Sequence, residues 1–118
     1  MAGGPIRSHS TETSTKAWSG PRMETKLGDA PAKVLRTAYA WVDPEGDPDA
    51  KASYKFIHHE VGRGEQVGAA NVKACTSGIG ILNGARGGTN VPAGDRKGIH
   101  NHLARHLRDA GEDPAPLK

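Results

Sequence analysis

The hydrophobic pattern divides the chain into three parts. Residues 1 to 17 hold almost no large apolar side chain beyond Ile6; Gly, Ser, Thr, Pro and charged residues fill the stretch. Such a segment buries too little surface to offset the entropy of ordering it, so it is expected to be a flexible N-terminal arm. Trp18 is the first large side chain after it, expected to anchor a module over 18–111, and 112–118 reads as a Pro-containing tail. Within the module, Ser19 and Pro21 suit the start of a short helix ending at Gly28, and a second short helix or extended lead-in follows over Pro31 to Arg36.

Two stretches are rich in strand formers, Thr37 to Val42 and Ser53 to Val61, with the turn Asp43-Pro-Glu-Gly-Asp-Pro-Asp49 between them. In a regular second strand Tyr54, Phe56 and His58 share one face and Lys55, Ile57 and His59 the other. Near Gly68 the period changes from two to about 3.6. Val72, Cys75, Ile79 and Leu82 mark a helix over Gly68 to Asn83, and Ile99, Leu103 and Leu107 mark a second over Pro92 to Ala110, stopped by Gly111. Gly78 and Gly80 inside the first of these helices suit the close approach of another element. The predicted class is α+β: a short antiparallel two-stranded pair packed on two main helices, with the flexible arm outside. Trp41, Tyr54 or Phe56, Ile79, Leu103 and Leu107 are expected at the centre of the core.

Composition narrows the chemistry. The chain has 118 residues, 35% of them hydrophobic, with one Phe, two Tyr and two Trp, so a small core built from Ala, Val, Leu and Ile is expected. The net charge of +3 is modest, and Lys and Arg are interleaved with acids, as on a solvated surface. A single cysteine, Cys75, excludes an intramolecular disulfide and a thiolate-rich zinc site, and its place in an apolar stripe points to a core residue. No run approaches the ~18 apolar residues of a membrane span, and the first residues lack the apolar core of a signal peptide. The expectation is a protein of the cytosol, or of a particle assembled there.

Each candidate site has a plainer competitor. His102 and His106 stand four apart on the last helix and share a face, as metal ligands can, and His58-His59 and His100 add imidazoles. Without an H-E-x-x-H pattern or cysteine ligands, buried packing of some rings is the simpler reading. His102 and His106 are therefore weak candidates, and no metal or cofactor is expected. Asp43, Glu45, Asp47 and Asp49 alternate as in a calcium loop but place Pro48 and Tyr54 where an EF-hand needs Gly and Glu. Gly84-Ala-Arg-Gly-Gly88 could cradle a phosphate, yet it lacks the Lys-Ser/Thr pair of a P-loop and suits a plain turn. Arg96, Lys97, Arg105 and Arg108 could form a nucleic-acid-facing stripe, but they spread around the helix and Asp95 and Asp109 dilute them. With no nucleophile–base constellation in view, the chain is expected not to be an enzyme.

The segments Tyr39-Ala-Trp-Val-Asp43, Tyr54-Lys-Phe-Ile-His-His59, Leu82-Asn-Gly-Ala-Arg-Gly-Gly88 and Asn101-His-Leu-Ala-Arg-His106, with the lead Trp18-Ser-Gly-Pro21, resemble a small module of tailed bacteriophages and prophages, chiefly of actinobacteria. That module occurs near or fused to the prohead (capsid maturation) protease and other capsid-region proteins. The similarity covers about Trp18 to Pro114. It implies a phage structural protein of the virion, assembled in the host cytoplasm: a minor capsid, decoration or head-assembly protein. The implied partner is the major capsid protein or another head protein, with a homo-oligomer on the particle in keeping with that role; binding is expected through the arm and one face of the module, with Trp18, Arg86, Arg96 and Arg105 as the candidate contact residues. The alternative is a nucleic-acid-binding accessory protein that uses the basic last helix.

Overall fold

A computed structural model of the chain describes residues 3–118. In chain order the elements are β1 (Gly4–Pro5), β2 (Thr13–Ser14), α1 (Gly20–Leu27), α2 (Ala32–Ala38), β3 (Trp41–Val42), β4 (Tyr54–Lys55), β5 (His59–Val61), β6 (Val67–Asn71), α3 (Val72–Leu82) and α4 (Arg96–Asp109). The α+β class is as expected. Its sheet portion comprises two small three-stranded sheets, ordered β1-β3-β4 and β2-β6-β5. In the first, Trp41 stands opposite Lys55 and Val42 opposite Tyr54, the antiparallel pairing anticipated across the acidic turn. In the second, β5 and β6 run antiparallel while β2 joins β6 in parallel.

The stretch read as a free arm supplies one strand to each sheet. Residues 1 and 2 lie outside the described residues, but from Gly3 onward the segment is docked. Gly4 and Pro5 pair with Val42 and Trp41, and Thr13 and Ser14 pair with Ala70 and Asn71. Ile6 is buried, and its amide donates to the Ala40 carbonyl at 2.8 Å. Pro5 packs so closely on α4 that a Cβ on Gly98 would fall 2.6 Å from the Pro5 Cβ. The folded module therefore starts before Trp18, which is half-buried. Backbone pairing, invisible to an apolar-pattern argument, supplies what the missing side chains do not.

Local chemistry sets the helix ends. Ser19 caps α1 by accepting from the Arg22 amide, and Gly28, with φ 53, stops it. The expected helix from Gly68 begins instead at Val72, because residues 67–71 pair with β5 and the fully buried Asn71 accepts from the Ala74 amide at 3.0 Å as its cap. Residues 37 and 38, expected in a strand, continue α2. After α4, Gly111 turns with φ 79 and the Glu112 amide reaches back to the Leu107 carbonyl. None of the described helices is long and apolar enough to cross a membrane.

One hydrophobic cluster joins Trp41, Cys75, Ile79, Leu82, Ile99, Leu103 and Leu107, and a second gathers Ile6, Leu27, Leu35, Tyr39, Val42, Tyr54 and Val61. Phe56 is half-buried, so Tyr54 fills the expected aromatic core position. α3 and α4 meet where a Cβ on Gly78 would lie 2.8 Å from Leu103 Cδ1. Two substitutions follow from this contact. Leu103→Ala removes a fully buried side chain and should cost about 2–5 kcal/mol in a urea melt. Gly78→Ala forces Leu103 aside and should cost about 1–3 kcal/mol.

Candidate metal centre

Five of the six histidines meet in one buried cluster. His58 and His59 come from the segment entering β5, His102 and His106 from α4, and His9 from the link between β1 and β2. His58, His59, His102 and His106 are fully buried or nearly so, and His9 is half-buried. Eight of the ten ring pairs have centroids between 4.6 and 5.3 Å apart.

The backbone explains how two adjacent histidines face one point. A regular strand would send His58 and His59 to opposite faces. Phe56, at φ 66, breaks the strand, and the register between β5 and β6 shifts between His59 and Val61. The alternation expected over 53–61 is thereby lost and both rings turn inward. His102 and His106 follow the helical spacing that made them candidates.

Hydrogen bonds fix which ring nitrogens face the centre. Nδ1 of His58 lies 2.9 Å from the Phe56 carbonyl oxygen, Nδ1 of His59 lies 2.8 Å from that of Gly68, and Nδ1 of His102 lies 2.8 Å from that of Ile6. A carbonyl oxygen only accepts, so each Nδ1 carries the hydrogen and each Nε2 of a neutral ring presents a lone pair. Nε2 of His58 and Nε2 of His102 are 3.1 Å apart, and Nε2 of His9 and of His59 are 3.3 Å apart. His106 has no hydrogen-bond partner at either ring nitrogen. One ligand atom each from His9, His58, His59 and His106 fits within a mutual distance of 4.8 Å, and the Nε2 of His102 adjoins this set through His58.

Electrostatics keep the rings neutral. Burial lowers the pKa of His59 and of His102 to about 4 and that of His106 to about 3, and holds His58 well below its ordinary range, with mutual repulsion of the imidazolium forms adding to the effect. Neutral imidazole is the form that binds metals. The cluster is built from imidazoles alone, and it is the grouping of His, Cys, Asp and Glu among the described residues with the geometry to hold an ion.

The other candidate residues are placed differently. His100 leaves the cluster and bonds the Ala115 carbonyl at 2.8 Å. Asp43 and Asp47 accept from the amides of Glu45 and Asp49, so the acidic segment builds its own turns. Cys75 is fully buried, and burial pushes its thiol up to about 12, an inert core residue as expected. Trp18 and Arg86 line one groove of about 920 Å³ between α1, the segment 54–57 and α3. Arg96 and Arg105 do not join them: Arg96 donates to the carbonyls of Leu82 and Lys118, while Arg105 pairs with Asp109 and donates to Ser10 Oγ. The glycine turn carries Arg86 at φ 55 on its exposed rim.

Sequence reasoning named His102 and His106 and missed their convergence with His9, His58 and His59. The adjacent pair at 58–59 beside an i, i+4 pair on a helix was the available signal; His9, in a stretch read as unstructured, gave none. No family model matches the chain, and no similar curated protein or solved structure was found.

The depressed pKa values set a pH dependence for the metal-free protein. As pH falls below 6.5, the unfolded chain takes up protons that the folded rings refuse until about 4 at His59 and His102 and about 3 at His106. Stability therefore rises with pH across this window and is lost on acidification. Each buried ring contributes up to about 1.4 kcal/mol per pH unit. Urea melts in a chelating buffer between pH 7.5 and 5 should show a monotonic loss; a flat profile would mean that the imidazoles titrate as free histidines do.

Proposed function

We propose that the chain is a non-catalytic structural module that binds one divalent transition-metal ion of the zinc class in its imidazole cluster. We further propose that it serves in a tailed-phage head as a minor capsid, decoration or head-assembly protein. The observation that carries the metal reading is the convergence of one ligand atom each from His9, His58, His59 and His106 to within 4.8 Å of one another, beside the 3.1 Å approach of His58 Nε2 to His102 Nε2 with both Nδ1 atoms committed to carbonyls. Two lone pairs at that distance repel unless a cation lies between them. Zinc–nitrogen bonds of about 2.0–2.1 Å place tetrahedral ligand atoms roughly 3.3–3.4 Å apart; the Nε2 atoms of His9 and His59 already stand 3.3 Å apart, and the four candidate ligand atoms would draw in from within 4.8 Å. A metal bond also satisfies a nitrogen of His106. Imidazole donors suit zinc among the first-row ions, with copper and nickel as competitors by intrinsic affinity. A fully protein-filled coordination shell is the mark of a structural site; a catalytic one keeps a position open.

The head-protein reading rests on the phage-module resemblance, and the groove beside Trp18 and Arg86 supports docking on a protein. The engagement of Arg96 and Arg105 within the chain, and the burial of His102 and His106, remove much of the basic stripe that a nucleic-acid role would use.

Metal analysis of protein refolded with zinc and desalted should give one equivalent per chain, and cobalt(II) should give the visible bands of a tetrahedral nitrogen site. At a free-zinc concentration 100-fold above Kd, the gain in stability should be about 2.7 kcal/mol. His106→Leu separates a ligand from a misfit core residue: it should abolish tight zinc binding while leaving the metal-free protein equally or more stable, because it removes an unsatisfied buried group. Retained stoichiometric binding in that variant would exclude His106 from the ligand set.

The partner reading has its own test, co-sedimentation with heads of the phage or prophage that encodes the chain. Trp18→Ala and Arg86→Ala should each weaken binding, with little dependence on salt. Steep loss with salt and competition by DNA would favour the nucleic-acid alternative.

A further inference from the structure

We infer that residues 3–17 form a metal-operated latch: the ion enters the imidazole cluster when this segment lifts, and its binding clamps the segment onto both sheets. This deepens, and rests on, the metal-binding reading above. The segment crosses the cluster between its two strands. At its midpoint His9 brings Nε2 to 3.3 Å from Nε2 of His59, and His9 is the half-buried ring of the five. The other four rings are supplied by β5, the residue before it and α4, and are sealed within the fold. The face closed by His9 is therefore the way in. A second tie runs from the cluster to the same segment: His102 Nδ1 donates to the Ile6 carbonyl at 2.8 Å while its Nε2 faces the centre. An ion held by His58 bears on the neighbouring His102 ring and through it on Ile6, as outer contacts orient and tune metal ligands elsewhere.

The rest of its hold is a set of short, separate contacts: the Ile6 amide on the Ala40 carbonyl, Arg105 on Ser10 Oγ and Pro5 against Gly98. Ile6 is its buried large side chain, its strands are two residues each, and beyond them Ala70 donates to the Glu12 carbonyl and Asn71 to that of Lys16. Short pairings of this kind open easily. Metal ligation by His9 adds the strong bond that they lack. Linkage makes the effect reciprocal: the factor by which zinc favours the docked segment is the factor by which docking tightens zinc.

The test uses the full chain, with zinc or with EDTA. Trypsin can cut at Arg7 and Lys16 once the segment is lifted, and amide exchange at Ile6 and Ala70 reports the bonds that join it to the core. Zinc should slow cleavage and exchange at these places by roughly 10-fold or more, within the usual range of coupling between sites. His9→Ala should keep the other rings, bind zinc more weakly by a similar factor, and lose the zinc-dependent protection. Stoichiometric zinc binding with unchanged cleavage and exchange would overturn the latch and leave the metal site standing. His9→Ala with wild-type affinity and full protection would overturn it as well. Failure of the wild-type chain to bind zinc at all would remove the metal site and the latch together. The wild-type comparison decides the matter even if the variant folds poorly.

Discussion

Uncharged imidazoles that turn their lone pairs toward one another require something positive between them, and the rest of this structure is arranged around that requirement. Protonation is the cheap solution in water. Here burial makes it expensive, as the depressed pKa values of His59, His102 and His106 show. Carbonyls of Phe56, Gly68 and Ile6 each hold one ring in the Nδ1–H tautomer, so shifting the proton of any of these rings to Nε2 would break that ring's backbone contact. A metal ion meets the requirement without disturbing any of them.

The same carbonyls explain why so short a segment matters to the fold. Ile6 offers its amide to Ala40 and its carbonyl to His102, and thus links the first sheet to α4 through one residue. Gly98 lacks a Cβ where Pro5 presses on the helix, and Gly78 lacks one where Leu103 does. Both contacts hold α4 at a separation that lets His102 and His106 reach the centre. Packing and imidazole geometry are therefore one problem, solved along the two faces of a single helix.

A chain of this size has limited apolar material, and its core is divided between two clusters. Small folds commonly supplement such cores with a metal or a disulfide. Cys75 stands alone and is buried, which leaves coordination as the available staple. Four imidazoles from three separated parts of the sequence, His9, His58, His59 and His106, joined at one ion would cross-link the N-terminal segment, the β5 region and α4 as a disulfide network does in a secreted protein.

Much of the architecture was legible in the amino-acid order, because it follows from local rules. The stripe through Cys75, Ile79 and Leu82, the line of Ile99, Leu103 and Leu107, the capping by Ser19, the stop at Gly111 and the pairing of Trp41–Val42 with Tyr54–Lys55 all depend on near neighbours and periodicity. His102 and His106 were visible as a same-face pair for the same reason. What the tertiary structure decided is non-local or breaks periodicity. The positive φ at Phe56 follows the end of β4, and His58 lies outside regular strand, so the alternation that would part it from His59 does not apply. Residues 3–17 dock by backbone hydrogen bonds, which composition does not encode. The site itself joins His9, His58, His59, His102 and His106 across the length of the chain, and a contact between residues nearly a hundred positions apart leaves no trace in either neighbourhood.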